Sequence, residues 1–187
     1  MSTNFKHKFL TATLVLLCLL PHSAFAEKAS KEDQIKAAIL VKLSQFFSWE
    51  DREVNRHGAI NFCLLQPAEP LGAIINDAAS SHSARSHHPR LDIVRVGHSD
   101  DLSSCHILFM SQQSAPLPQQ YPDSVLLISE NSVLANSPFH LNLFIEESRI
   151  RFEINIDNIL NSRIKANPQL LNVAKIVKND NDKSNSR

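Results

Sequence analysis

Ala59-Ile60-Asn61-Phe62-Cys63-Leu64-Leu65 is a short apolar run rich in strand-forming residues, and its reading decides the fold. Such a run predicts a buried strand. Immediately downstream, Pro70 suits a first helical turn, and Leu71, Ile74, Ile75 and Ala78 continue with a helical period. Three more apolar runs follow: Leu91–Val96 (LDIVRV), Cys105–Met110 (CHILFM) and Ser124–Ser129 (SVLLIS). Upstream, Ser30 reads as a helix N-cap with Asp33 three residues on. Ile35, Ala38, Ile39, Leu43, Phe46 and Phe47 follow at helical spacing, and the helix ends in Phe46-Phe47-Ser48-Trp49. Strands separated by helical segments predict an α/β sandwich with a largely parallel sheet.

The C-terminal third changes period. Leu141, Leu143 and Ile145 alternate with Asn142, Phe144 and Glu146, as do Ile150, Phe152 and Ile154 with Arg149, Arg151 and Glu153. Joined through Glu147-Ser148, these runs predict an antiparallel hairpin at one side of the sheet, without a glycine in its turn. Asn155 then caps a helix bearing Ile156, Ile159 and Leu160. A last helix starts at Asn167-Pro168 and carries Leu170, Leu171, Ala174 and Val177. The expected fold class is therefore α/β: a single-domain sandwich, its mixed but largely parallel sheet flanked by helices, with a C-terminal antiparallel hairpin and two terminal helices.

Both ends fall outside that domain. Residues 1–26 have the form of a secretory signal: Lys6 and Lys8, the apolar run Leu10–Leu20, then Ala24-Phe25-Ala26. A lipoprotein reading fails because Cys18 follows Leu16-Leu17 rather than small residues. No second apolar stretch approaches the roughly 20 residues of a membrane span. The expectation is a soluble periplasmic domain over residues 27–177, without direct membrane insertion, followed by a disordered polar tail over 178–187 (KNDNDKSNSR).

Removing 26 of 187 residues leaves 161, enough for one substantial core. The remainder holds 17 basic and 19 acidic residues, a balance of −2 that offers no attraction to nucleic acid. Only three glycines occur, Gly58, Gly72 and Gly97, all isolated. Dinucleotide fingerprints, phosphate-cradling loops and nucleophile elbows need glycines a few residues apart, so those enzyme classes are excluded. No cofactor is implied. His82, His87 and His88 share one polar loop, with His57, His98 and His106 elsewhere, but a structural metal site wants four fixed ligands. No metal site and no catalytic constellation are assigned.

Two cysteines remain after the leader, Cys63 and Cys105, and an exported pair is more often a disulfide than a metal or catalytic site. If the two lie on neighbouring strands they can bond without distortion.

The order of elements and the residues in them resemble the YfiR-like family of small periplasmic regulatory proteins. The matching stretches are Lys36-Ala37-Ala38 through Phe46-Phe47-Ser48-Trp49, the strand Ile60-Asn61-Phe62-Cys63, and Leu102 through Phe109 (LSSCHILF). Most specific is Arg149-Ile150-Arg151-Phe152-Glu153-Ile154-Asn155, followed by Leu170-Leu171 and Ala174. The chain departs at Glu50, where the family usually has proline. It departs again at Ser137-Pro138-Phe139-His140, where a glycine pair usually precedes the hairpin. The resemblance implies a repressor that binds the periplasmic sensor portion of an inner-membrane diguanylate cyclase, holds cyclic di-GMP synthesis and biofilm formation down, and responds to redox or envelope stress.

Two readings of the Cys63–Cys105 bond follow, a structural staple or a redox-responsive switch. Trp49, at the helix exit, is the preferred partner-contact residue. Arg149 and Arg151 on the polar face of the hairpin either meet a partner's acids or keep an edge strand soluble. A homodimer is a further expectation. The competing function is a periplasmic receptor for a small ligand, bound in the crevice at the carboxyl ends of the parallel strands.

Overall fold

The computed structural model describes residues 30–49, 58–83, 89–130 and 132–180. The expected leader with Cys18, Glu50, His57, the side chain of His82, His87 and His88, and residues 181–187 of the expected tail lie outside the described residues.

Helix α1 spans Lys31–Leu43. Ser30 caps it from extended backbone: its Oγ accepts the Asp33 N–H at 3.0 Å and donates to the Asp33 carboxylate at 2.7 Å. Glu32 and Asp33 in the first turn and Lys42 in the last suit the helix dipole. The helix does not run on to Trp49. A 3₁₀ turn, Ser44–Phe46, leads into strand β1, Phe47–Trp49. The apolar spacing of Phe46 and Phe47 fits a helix. What overrides it is a strand from far down the chain, β8 (Ile164–Ala166), which pairs antiparallel with β1 as Phe47↔Ala166 and Trp49↔Ile164.

Strand β2, Ala59–Leu65, forms as expected, whereas helix α2, Leu71–Ser83, runs on past Ala78, so that the backbone at His82, expected in the polar loop, is helical. Strands β3 (Arg90–Val96), β4 (Ile107–Met110) and β5 (Leu126–Glu130) follow. Strands β6 (Leu141–Glu146) and β7 (Arg149–Asn155) make the hairpin, and α3 (Ile156–Leu160) follows it. Helix α4 is a single turn, Pro168–Leu171, and the chain then becomes strand β9, Lys175–Val177. The expected last helix is thus cut short. Ile176 and Val177 are β-branched, and the exposed backbone of Glu153–Asn155 in β7 recruits them as a parallel neighbour.

Among the described residues the main sheet has the order β3-β2-β4-β5-β6-β7-β9. Every pairing in it is parallel except the β6–β7 hairpin. Strand alternation divides the core. Phe62, Leu64, Ile107, Phe109, Leu126 and Ile128 face α1 and α2 in one large cluster. Cys63, Leu65, Leu108 and Leu127 face the other way, into a smaller cluster with Val96, Leu102, Cys105 and Val125. Both longer helices therefore cover one face. The opposite face carries connecting segments, with Leu117, Tyr121 and Phe139 packed against the smaller cluster.

The hairpin turn is closed by Glu147 and Ser148, both in the left-handed region at φ 49° and 62°. That is a two-residue type I′ geometry, which favours Asn-Gly, and this chain adopts it with residues whose Cβ opposes it. Replacing Glu147-Ser148 by Asn-Gly should raise the unfolding free energy by about 1 kcal/mol. Urea denaturation reads this directly; an unchanged or lower midpoint would refute it.

Asn179 and Asp180 correct the start of the expected disordered tail. The Asn179 side chain takes hydrogen bonds from Asn155 Nδ2 at 2.7 Å and Asn136 N–H at 2.9 Å, and donates to Asn158 Oδ1 at 3.0 Å. Asn155 is fully buried, so its amide needs such partners.

Candidate functional site

Cys63 on β2 and Cys105 just before β4 form a disulfide with Cα atoms 5.8 Å apart. It sits on the face that carries no helix among the described residues. Both cysteines are fully buried among Leu65, Val96, Leu102 and Leu108. The loop leading to Cys105 is tied locally: Asp100 accepts the Gly97 N–H at 2.8 Å, and Asp101 accepts the N–H of Ser103 at 2.8 Å and its hydroxyl at 2.6 Å. Those two bonds hold the Asp101 carboxyl below its ordinary pKa. Thiol exchange requires attack on a sulfur, and this one is out of reach of solvent while the domain stays closed.

Trp49 is not at an open helix exit. Only 4% exposed, it donates its Nε1–H to the Ser124 carbonyl at 2.9 Å and meets the His106 ring edge-on at 5.6 Å between centroids. Strand alternation in β1 turns Phe47 and Trp49 inward and Ser48 outward. Trp49 is therefore a core residue, and the expectation that it offers an open partner contact is corrected.

Two histidines complete ladders at the amino ends of strands. His106 Nδ1 accepts the Asn61 N–H at 3.0 Å, and His140 Nδ1 accepts the Leu127 N–H at 3.0 Å. In both, the ring stands in for a strand carbonyl and so must be neutral at that nitrogen. Burial pushes the His140 pKa down to about 4. Between its ordinary 6.5 and this value the unfolded chain takes up a proton that the folded chain refuses. The stability due to a neutral His140 is thus whole above pH 6.5 and drains as pH falls toward 4, by about 3 kcal/mol in all. Urea midpoints at a series of pH values should show this slope. In His140→Gln, which cannot titrate, the slope should flatten; an equal slope would refute the assignment.

Lys36 lies on the buried side of α1 and is 8% exposed. Its Nζ meets Glu130 at the end of β5, Glu32 at 3.1 Å and Asp33 at 3.8 Å. Burial works against its charge, but hydrogen bonds to Glu130 and Glu32 and their negative charge prevail and raise its pKa. The lysine clamps α1 to the carboxyl end of the sheet. Beside it, a cleft of about 220 Å³ opens beyond β2, β4 and β5, lined by Glu69, Ser111 and Gln113 as well as Lys36 and Glu130.

Arg149 and Arg151 project from one face of β7 and are exposed. Arg151 lies 3.9 Å from Glu146, whereas Arg149 makes no ion pair among the described residues. Strand β9 covers only Glu153–Asn155, so both arginines stand on a stretch of β7 that is still an edge. Glu153 on the same face is buried, paired to Lys175 at 3.3 Å and accepting from Asn142 Nδ2 at 3.1 Å; Lys175 in turn sits 5.2 Å from the Phe144 ring centroid. The opposite face of the hairpin tip presents Ile145 and Ile150 toward Ile35 of α1 around a cleft of about 640 Å³. The hairpin therefore joins the two arginines to an apolar surface that the sequence reading missed, while Trp49 belongs to another sheet. The missed signal was Ile35 and Ile145, apolar residues that the helical and strand periods assigned to the core.

Among the described residues, no group of three or more His, Cys, Asp or Glu side chains is placed to hold a metal ion, and no helix is long and apolar enough to cross a membrane. A search of curated proteins finds no match. The sequence profile of the YfiR/HmsC-like family matches residues 33–175, from the first turn of α1 to the first residue of β9, and the chain belongs to that family.

Proposed function

We propose that this chain is a non-enzymatic periplasmic regulator that restrains an inner-membrane diguanylate cyclase by binding its periplasmic sensor portion. The family match over residues 33–175 carries the reading, since it supports a periplasmic regulator of a diguanylate cyclase. Export by a cleaved leader over residues 1–26 is part of it. The mechanism is linkage: a regulator that binds the inactive cyclase more tightly shifts the population toward that state by its differential affinity. Arg149 and Arg151 are the proposed partner-facing residues, in reach of a partner's carboxylates. Deleting the gene in its host should raise cyclic di-GMP and biofilm several-fold, and the wild-type gene should restore both. An unchanged nucleotide level would sink the proposal.

Burial of both cysteines favours the staple, and redox control works only through opening of the domain. A second reading, a receptor for a small ligand, draws on the polar cleft beside Lys36 and Glu130 at the carboxyl ends of three parallel strands. A metabolite that raises the melting temperature, and fails to do so in Gln113→Ala, would favour it. A flat screen counts against it.

A further inference from the structure

The apolar surface between α1 and the hairpin continues past the tip. Ile39 lies one helical turn beyond Ile35, and Phe152 lies two residues beyond Ile150 on the same face of β7. There they line a second cleft, of about 400 Å³, closed by Val173 after α4. Three large apolar side chains along this seam are open to water: Ile35 at 44%, Ile145 at 48% and Val173 at 71%. Cations rim it. Lys31 and Arg149 line the first cleft and Lys42 the second, and none of the three is ion-paired among the described residues. The one acid at the rim among the described residues, Glu32, is already engaged by Lys36.

A furrow that follows a helix of 13 residues, about 20 Å long, matches three to four turns of a second helix laid alongside it. We infer that these tandem clefts receive an amphipathic helix of the partner, its apolar face inward and carboxylates on its flanks facing Lys31, Lys42 and Arg149. The inference rests on the regulatory reading above and names where that partner sits. Helix-in-groove binding uses anchors at i, i+3, i+4 and i+7, and unpaired rim cations select acidic flanks and speed encounter.

The probe is a fluorescent 15-residue helical peptide with leucines at those anchor positions and glutamates flanking them, beside a twin carrying lysines instead. The wild-type chain should bind the glutamate peptide at least tenfold more tightly than its twin. Lys31→Glu with Arg149→Glu should reverse the order. Val173→Asp should weaken binding at least tenfold without lowering the melting temperature, as that side chain is 71% exposed, and Ile145→Asp should weaken it at least as much. Equal binding of the twins, or no binding of either, would overturn the inference. So would binding to phosphatidylglycerol vesicles that Val173→Asp abolishes, which would assign the surface to a membrane. A dimer dissolved by Val173→Asp would assign it to a second copy. In the host, Val173→Asp should raise cyclic di-GMP to the level of the gene deletion. If deletion raises it and Val173→Asp does not, the groove assignment fails while the regulator reading stands. If deletion itself changes nothing, the regulator reading fails and the peptide result alone decides the groove.

Discussion

Lys36→Met should lower the unfolding free energy by about 3 kcal/mol, at the low end for breaking a buried ion pair because the adjoining cleft admits water. The loss comes from what remains. Glu130 is about as buried as Lys36, with side-chain exposures of 9% each, and without the ammonium its carboxylate has no opposite charge at hand among the described residues. Glu32 loses its partner as well, but at the first turn of α1 the helix dipole still favours its charge, so the loss rests on Glu130. Glu130→Leu added to Lys36→Met should recover most of the loss, since an apolar pair of similar volume needs no solvation. Guanidinium denaturation of the four species closes the cycle; additive losses would show that the pair is not the unit. The clamp also bears on the groove, as it holds the helix that forms one wall. Lys36→Met should therefore weaken the peptide binding described above, and the double variant should restore it.

Removing the disulfide should cost about as much or more. The bond joins residues 42 apart, and closing a loop of that length in the unfolded chain corresponds to about 4 kcal/mol, an upper figure. Cys63→Ala with Cys105→Ala measures this without leaving a lone thiol, and the denaturation midpoint should fall accordingly. Reduction of the wild-type bond separates staple from sensor, with the double variant as the control that dithiothreitol cannot change. With a staple, dithiothreitol reduces the native protein slowly, reduction accelerates in mild urea, and partner binding follows the folded fraction. With a sensor, reduction in native buffer releases the partner while the far-ultraviolet signal is unchanged. Complete burial of both cysteines predicts the first outcome. Location deepens the effect: the bond lies in the smaller cluster, where among the described residues connecting segments and no helix cover the sheet, so fewer apolar contacts share the work.

Much of this was legible in the chain before folding. The run Ala59–Leu65 became β2 without change of boundary, and the alternating residues on either side of Glu147-Ser148 became β6 and β7 in register, Ile145 facing Ile150. Ser30, Asn155 and Asn167 cap helices as their side chains imply. Local rules sufficed at these places because each is decided by neighbours a few residues away. The candidate site was half legible. Arg149 and Arg151 stand where alternation puts them, exposed on a strand edge. The apolar seam beside them was hidden, because the same period that assigns Ile35 and Ile145 to the core cannot tell whether the core reaches that far.

By itself, then, the sequence determined which segments are strands and helices over most of the domain, the one cystine pair available outside the expected leader, and the family. Tertiary structure alone decided the rest. Trp49 is a core residue because its indole meets a carbonyl 75 residues away and its strand pairs with one near the C-terminus. Residues after Leu171 leave the helix because β7 offers an unfilled backbone edge. Lys36, a lysine within an apolar helical face, is accommodated because Glu130 arrives from 94 residues downstream. In each case a local preference worth a few tenths of a kcal/mol per residue yields to a long-range hydrogen bond, strand pairing or buried charge worth more.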